Sequence, residues 1–241
     1  MHRTSIALGV AVLAASFVAV PAGGQTVRTE FPIEAGTSWV YTGTVRQQLV
    51  ESPEVESSTI TLKMEITASE QRGDLTVATL RGFFSDLAFS DDDGPGDYLI
   101  VHTASGNYHV LAGITEDELF ASAVDPGRFA ETLNEHQLLV LDFPLTSDKT
   151  YAPMEPDVDR TDTMYAWHVD SVRRARLRGI EGVSSRRIVT EYILALRTLP
   201  DHEIDTFVPG IGITRFVYSH HGTVMDVDLH LVRFHRGTRQ P

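Results

Sequence analysis

The chain has 241 residues, no cysteine and a net charge of −13 at pH 7, from 20 Lys and Arg against 33 Asp and Glu. The absence of cysteine excludes disulfides, thiolate metal sites and thiol nucleophiles. The acidic balance argues against nucleic acid as a partner, because phosphate contacts need clustered positive charge, and against general adsorption to anionic lipid.

The start of the chain predicts a secretory signal peptide, assigned to residues 1–24. A short basic start precedes an apolar run from Ile6 to Val20, and small residues place cleavage after Ala22 or Gly24. The run is shorter than the ~20 residues of a membrane span, and an N-terminal anchor helix is the alternative. We therefore expect residues 25–241 to form an exported chain, periplasmic or secreted, with no transmembrane span.

Strand patterns dominate the mature chain. Residues 59–67 alternate polar and apolar side chains without a break, as a half-buried antiparallel strand requires. Similar patterns predict further strands over residues 39–50, 75–84, 97–103, 107–112, 137–143, 165–178, 183–199, 203–208, 213–219 and 224–234. Because short turns separate most of them, the fold class is mainly β, a strongly curved antiparallel sheet or open barrel.

One or two short helices interrupt the strands. Thr115 and Glu118 have the spacing of a capping box, with Thr115 as the N-cap of a helix that ends near Ala123. Residues 128–135 form the second candidate helix. Both would lie in an insert over residues 115–135.

Two segments of the chain are similar to each other. FPIEAGTSW at residues 31–39 and FPLTSDKTY at 143–151 share Phe-Pro-aliphatic and a later aromatic residue. Chance, a common turn solution and duplication all remain open. We expect a single β-rich domain, with two related half-sheets at about 25–135 and 136–241 if the duplication is real.

The stretch FVPGIGITRFVYSHHGTVMDVDLHL, residues 207–231, predicts a β-hairpin. With the turn at His221-Gly222, Arg215 lies opposite Asp228 as an ordinary cross-strand charge pair, and the other face is apolar. The alternative is a metal site, whose candidate ligands are His220, Asp226, Asp228 and His230, with His202 as a further candidate. Side chains two residues apart lie ~6.6 Å apart along a strand, so that two neighbours could reach one ion but three would strain.

An arginine cluster precedes a predicted turn. Arg174, Arg176 and Arg178 share one side of a strand, and Arg186 and Arg187 begin the next. Internal ion pairing among the many acids explains the cluster. The alternative is a site for an anionic ligand, because arginine binds carboxylate and phosphate well.

The catalytic motifs of common enzymes are absent from the sequence. It has no Gly-x-Ser-x-Gly elbow, no Ser-x-x-Lys, no Walker loop and no Gly-x-Gly-x-x-Gly. We therefore predict no catalytic residue and no cofactor, and favour a protein that is not an enzyme.

Two motifs resemble those of a known group of proteins. The opening FPIEAGTSWVY and the turn Phe207-Val208-Pro209-Gly210-Ile211-Gly212 are similar to motifs of uncharacterised exported bacterial β-sheet domains, in which tryptophan is usual where this chain has Phe207. The resemblance implies an exported antiparallel fold, with a curved sheet like that of lipoprotein carriers. It implies no activity and no functional residue.

Three function hypotheses follow. The leading one is an exported, non-catalytic binding or envelope-associated domain with an apolar or amphiphilic ligand, such as a lipid, because amphipathic strands are many and catalytic motifs absent. A metal-dependent hydrolase using the His/Asp cluster near the C-terminus is the second. A structural domain that binds an envelope protein through an exposed sheet edge is the third.

Overall fold

The computed structural model describes residues 30–48, 54–89, 94–154, 162–220 and 225–238. The predicted signal peptide and the predicted turn at His221-Gly222 lie outside the described residues. Among those that are described, no helix is both long enough and apolar enough to span a membrane.

Twelve strands and three helical segments make up the described chain. The strands are β1 (Ser38–Gln48), β2 (Val55–Arg72), β3 (Leu75–Arg81), β4 (Asp97–His102), β5 (Tyr108–Leu111), β6 (Gln137–Leu141), β7 (Thr150–Tyr151), β8 (Trp167–Arg176), β9 (Ile188–Arg197), β10 (Asp201–Val208), β11 (Gly212–His220) and β12 (Met225–His235). The helical segments are the single turn α1 (Asp86–Phe89) and the short helices α2 (Glu116–Ser122) and α3 (Pro126–His136).

All twelve strands form one antiparallel sheet in the order β6-β5-β4-β3-β2-β1-β12-β11-β10-β9-β8-β7. Two six-strand meanders therefore meet where β1 pairs with β12. The predicted mainly β, antiparallel class is confirmed. The stronger prediction of a strongly curved sheet or open barrel is wrong, because the sheet does not curl up strongly; its edge strands in the described residues are β6 and β7. The division into two related half-sheets stays a prediction.

Aromatic side chains fill one face of the sheet, here called the core face. The Phe31 ring contacts those of Trp39, Tyr108 and Phe207, with centroids 5.8, 6.1 and 6.2 Å away. Tyr108 lies on β5 and Phe207 on β10, so side chains of both meanders belong to one core.

The helices α2 and α3 cover the opposite, outer face over β3 to β5. The predicted capping box is present: the Thr115 hydroxyl accepts from the Glu118 amide at 3.3 Å, and the Glu118 carboxylate accepts from the Thr115 amide at 2.9 Å. Leu119 and Leu133 pack on the sheet in a second apolar cluster. The predicted helices are therefore confirmed, with the second beginning slightly earlier, at Pro126.

The hairpin of β11 and β12 has a register that differs from the prediction by two residues. Arg215 lies opposite His230, not Asp228, and Ser219 lies opposite Asp226. A shift of two leaves every side chain on its predicted face, because side chains alternate with a period of two. Arg215 still contacts Asp228 diagonally, at 3.0 and 2.8 Å.

Two strand starts differ from the predictions in ways that shape the surface. Strand β9 begins at Ile188 instead of residue 183, so residues 177–187 form a long loop between β8 and β9. Strand β10 begins at Asp201 instead of residue 203, because the tight turn at residues 198–201 closes earlier, with the Thr198 amide donating to the Asp201 carbonyl at 2.8 Å.

Candidate functional site

A cleft of about 420 Å³ opens at one end of the sheet. We call it the end cleft, and its lining comprises Glu30, Gly182, Val183, Ser184, Arg187, Pro209, Gly210, Ile211, Phe234 and Arg236. Its volume lies within the roughly 300–1,000 Å³ of small-molecule sites. Its two walls are the β8–β9 loop and the β10–β11 turn, and Phe234 of β12 lies between them.

The sheet splits at this end to make room for the cleft. The β11–β12 ladder extends only to the Arg215–His230 pair, and beyond it Glu181 takes the place of β11 beside β12. The Glu181 amide donates to the Val232 carbonyl and the Phe234 amide donates to the Glu181 carbonyl, both at 2.9 Å. The β8–β9 loop is thus fixed against one strand while β11 diverges towards the turn.

Gly182 permits the close approach of the β8–β9 loop to β12. Its φ is +84°, a left-handed conformation that favours glycine, and a Cβ there would lie 1.9 Å from the Phe234 carbonyl oxygen. The loop wall of the end cleft therefore depends on a residue without a side chain.

The two motifs noted in the sequence pack together to build the turn wall. The Phe31 and Phe207 rings stack with an interplanar angle of 8°, and the Gly210 amide donates to the Glu30 carbonyl at 2.6 Å. The Trp39 indole N–H donates to the Ile211 carbonyl at 2.6 Å. Motifs more than 170 residues apart in sequence therefore form one structural unit beneath the cleft.

The end cleft combines an apolar floor with a charged rim. Ile211 and Phe234 are buried in the core, and Val183 packs against it. Arg187, Arg236 and Glu30 supply the charged groups of the lining, and an ion pair with Glu34 at 2.9 Å offsets the charge of Arg236. Such a lining can hold a small molecule that has an apolar body and a polar head.

The predicted metal ligands are divided between the two faces of the sheet. His220 projects from the core face, whereas Asp226, Asp228 and His230 project from the outer face, as the register of β11 and β12 requires. Asp226 pairs with Arg46 at 3.2 Å, and Asp228 pairs with Arg215 and lies 3.3 Å from the His230 Nε2. The described residues contain no group of three or more potential ligands able to hold a metal.

Metal chelation is expected to leave the stability of the protein unchanged. The outer-face carboxylates are already held by arginines, so we expect EDTA to shift the thermal midpoint by no more than about 1 °C, whereas loss of a tight site at one hundred times its Kd would cost about 2.7 kcal/mol. Differential scanning calorimetry of wild type and His230→Ala, with EDTA or added zinc, measures this. A rise in the midpoint with zinc that His230→Ala abolishes would restore the metal hypothesis.

The predicted arginine cluster is exposed. Arg174 and Arg176 pair with Thr190 and Ile188 of β9 in the ladder, and Arg178 lies beyond the end of β8. Of the neighbouring arginines, Arg173 forms an ion pair, with Glu191 at 2.8 Å. An anion site at Arg174, Arg176 and Arg178 stays a prediction. Of the arginines between residues 173 and 187, Arg187 lines the end cleft.

A row of acidic side chains runs into the core along β10. Asp201, Glu203 and Asp205, here called the acidic row, alternate with outward residues, and Glu203 and Asp205 pair across the strands with Tyr218 and Phe216. Asp205 has no exposed surface, and neither of its carboxylate oxygens has a hydrogen-bond partner among the described residues.

Burial dominates the proton affinity of the inner two acids. Burial, with the charge of Glu203 second, raises the pKa of Asp205 well above its ordinary value. Burial, with the charge of Asp201 second, raises the pKa of Glu203 to about 8, although Glu203 keeps part of its surface accessible. Burial therefore favours the neutral form of both carboxyls over the ionised form.

Asp201 at the outer end of the row behaves in the opposite way. Burial alone would raise its pKa, but hydrogen bonds from His220 at 2.7 Å and Tyr218 at 2.6 Å outweigh burial and lower it. His220, predicted as a metal ligand, thus contacts a carboxylate on the core face instead. The sequence interpretation missed this row because Pro200-Asp201 signals a turn, although the alternation of Asp201, Glu203 and Asp205 was visible.

Comparison with known proteins yields structural similarity alone. No family model and no curated protein matches the chain. It is similar to a protein of Bacteroides fragilis NCTC 9343 described as exported and of YmcC-like fold, with 12% identity, a TM-score of 0.38 and coverage of 86% of this chain and 99% of that one. A protein of Parabacteroides distasonis ATCC 8503 described as a lipoprotein matches at 11% identity with the same TM-score and coverage. The similarity supplies no functional residue.

Proposed function

We propose that the chain is an exported, non-catalytic binding domain whose ligand is a small amphiphilic molecule, and that the ligand binds in the end cleft. The observation that carries this proposal is the composition of the cleft, in which buried Ile211 and Phe234 form an apolar floor beneath a rim with arginine side chains. Export rests on the signal-peptide pattern at the start of the sequence.

The core face is the place where a carrier with a concave sheet would hold its ligand, but in this protein side chains fill it. The rings of Phe84 and Phe216 stack with centroids 4.2 Å apart, and Phe143 packs edge-on against Phe207. Side chains of the protein itself thus occupy the space between the meanders. The end cleft, in contrast, is open to solvent and formed by two loops, which is where binding residues are commonly found.

Blocking the cleft is expected to abolish binding. Ser184 lines the cleft and its neighbour Ser185 does not, while both side chains are exposed. Ser184→Trp should therefore fill the cleft without disturbing the core and weaken binding of dodecanoate at least about tenfold, a change of 1.4 kcal/mol or more. Isothermal titration calorimetry of the mature chain below the micellar concentration measures it.

Ser185→Trp is the matched control and should bind dodecanoate as wild type does. Binding that neither substitution weakens would place the ligand elsewhere on the molecule. A wild-type chain that binds no amphiphile would overturn the proposed function.

A further inference from the structure

We propose that the end cleft selects anionic amphiphiles, molecules with a carboxylate or phosphate head on an apolar body, and that Arg187 binds the head. This inference rests on the proposed function and specifies the ligand class of the same cleft.

Arg187 is placed to meet a ligand head. It lies at the end of the β8–β9 loop, where its amide donates to the Ser184 carbonyl at 3.2 Å, so the loop turns there and holds the residue beside the cleft. Its side chain is exposed and has no ion-pair partner among the described residues. An arginine with its five donors uncommitted matches a carboxylate or phosphate in a bidentate arrangement.

The other charges of the cleft leave Arg187 as its available cation. Glu34 forms an ion pair with Arg236 at 2.9 Å, which offsets the charge of Arg236. Glu30 contributes a carboxylate to the lining. The chain as a whole has a net charge of −13, so most of its surface repels anions, and the exposed guanidinium of Arg187 offers an anionic head a site of opposite charge.

The apolar part of the lining sets the rest of the specificity. Val183, Pro209 and Phe234 offer an apolar surface next to the arginine. A simple anion such as inorganic phosphate would leave that surface exposed to water, and an uncharged chain would leave the guanidinium without a partner. A molecule with an anionic head and an apolar tail pairs with the guanidinium and also covers the apolar surface. Tight binding therefore needs the head and the tail together.

The test compares three amphiphiles of equal chain length at pH 7: dodecanoate, dodecanol and dodecyltrimethylammonium. We expect the mature wild-type chain to bind dodecanoate at least about tenfold more tightly than the other two in calorimetric titrations. Arg187→Gln should weaken dodecanoate about tenfold and leave dodecanol unchanged. Arg186→Gln is the matched control, because Arg186 is also exposed but does not line the cleft, and it should bind as wild type does.

Removing a negative charge from the lining should have the opposite effect on binding and gives a further check. Glu30→Gln removes the carboxylate of the lining and should tighten dodecanoate binding about two- to fivefold, as expected for exposed charges, without affecting dodecanol. Dodecanol that binds as tightly as dodecanoate, or dodecanoate that binds equally well to Arg187→Gln, would overturn the anionic selectivity and leave the amphiphile-binding function in place. Failure of all three amphiphiles to bind would overturn both.

Discussion

Asp205→Asn is expected to stabilise the protein at pH 8 and to reduce the pH dependence of its stability to the part that Glu203 contributes. The Asp205 carboxyl is fully buried, without hydrogen-bond partners in the described residues, and two residues from Glu203 on the same face of β10. An ionised carboxylate in such a place is costly, since burial removes it from solvent and no ion pair with it occurs in the described part of the chain. The amide of asparagine has nearly the same shape and carries no charge at any pH.

The sign of the pH effect follows from the two raised pKa values. An unfolded carboxyl has a pKa near 4, whereas burial raises the pKa of Glu203 to about 8 and that of Asp205 well above its ordinary value. The stabilising contribution is therefore complete below about pH 4 and declines as pH rises through the folded pKa. With allowance for the partial exposure of Glu203, we expect wild type to lose about 2–4 kcal/mol of unfolding free energy between pH 5 and pH 8.

Urea denaturation of wild type and Asp205→Asn across this pH range measures both effects. The variant should resemble wild type at pH 5 and exceed it at pH 8. Asp228→Asn provides a control without this pH dependence: the hydrogen bond from Arg215 lowers the pKa of Asp228, so its stabilising contribution is fully present from pH 5 to pH 8 and is lost only at lower pH. A wild-type stability that stays constant from pH 5 to pH 8 would show that the acidic row is solvated or paired.

The faces of the strands could be predicted from sequence, but their pairing could not. Alternation in β11 and β12 assigned Phe216, Val227 and Leu229 correctly to the core face, and an error of two residues in the register left that assignment intact. Register depends on the conformation of the connecting turn, which the pair His221-Gly222 does not define.

The curl of the sheet, which was predicted to be strong, was a similar case. A closed barrel would need β6 to pair with β7, and β7 consists of Thr150 and Tyr151 alone. Alternation over two residues gives no detectable pattern, so the sequence predicted no strand there and offered no sign of whether the two edges meet. The face on which a side chain lies depends on its own strand, whereas closure of the sheet depends on all twelve strands together.

The end cleft was beyond sequence reasoning for another reason. Gly182 and the turn at Pro209–Gly212 each carry the glycines typical of turns, yet nothing in either indicates that they face each other across β12. The replacement of β11 by Glu181 beside Val232 brings them together, and that contact joins residues about 50 positions apart. Arg187 was accordingly grouped with the exposed arginines of β8 and not with the cleft it lines.

Trp39→Ala is expected to cause the largest loss of stability of any substitution considered, about 3–5 kcal/mol. Trp39 is 1% exposed, contacts the rings of Phe31 and Phe234, and donates its indole N–H to the Ile211 carbonyl at 2.6 Å. Alanine would leave a cavity and a carbonyl without its donor. Chemical denaturation at pH 6 measures the loss, and a change below about 1 kcal/mol would contradict the assigned packing.

Trp39→Phe and Tyr41→Phe separate the role of Trp39 in the core from its role under the cleft. Trp39 and Tyr41 follow each other on the core face of β1 and donate to carbonyls two residues apart, those of Ile211 and Ile213, the latter at 2.8 Å. Each loss of a buried hydrogen bond should cost about 1–3 kcal/mol. Only Ile211 lines the end cleft, so Trp39→Phe should also weaken dodecanoate binding, whereas Tyr41→Phe should leave it unchanged. Equal binding by the two variants would mean that the hydrogen bond from β1 stabilises the sheet but does not position the turn wall.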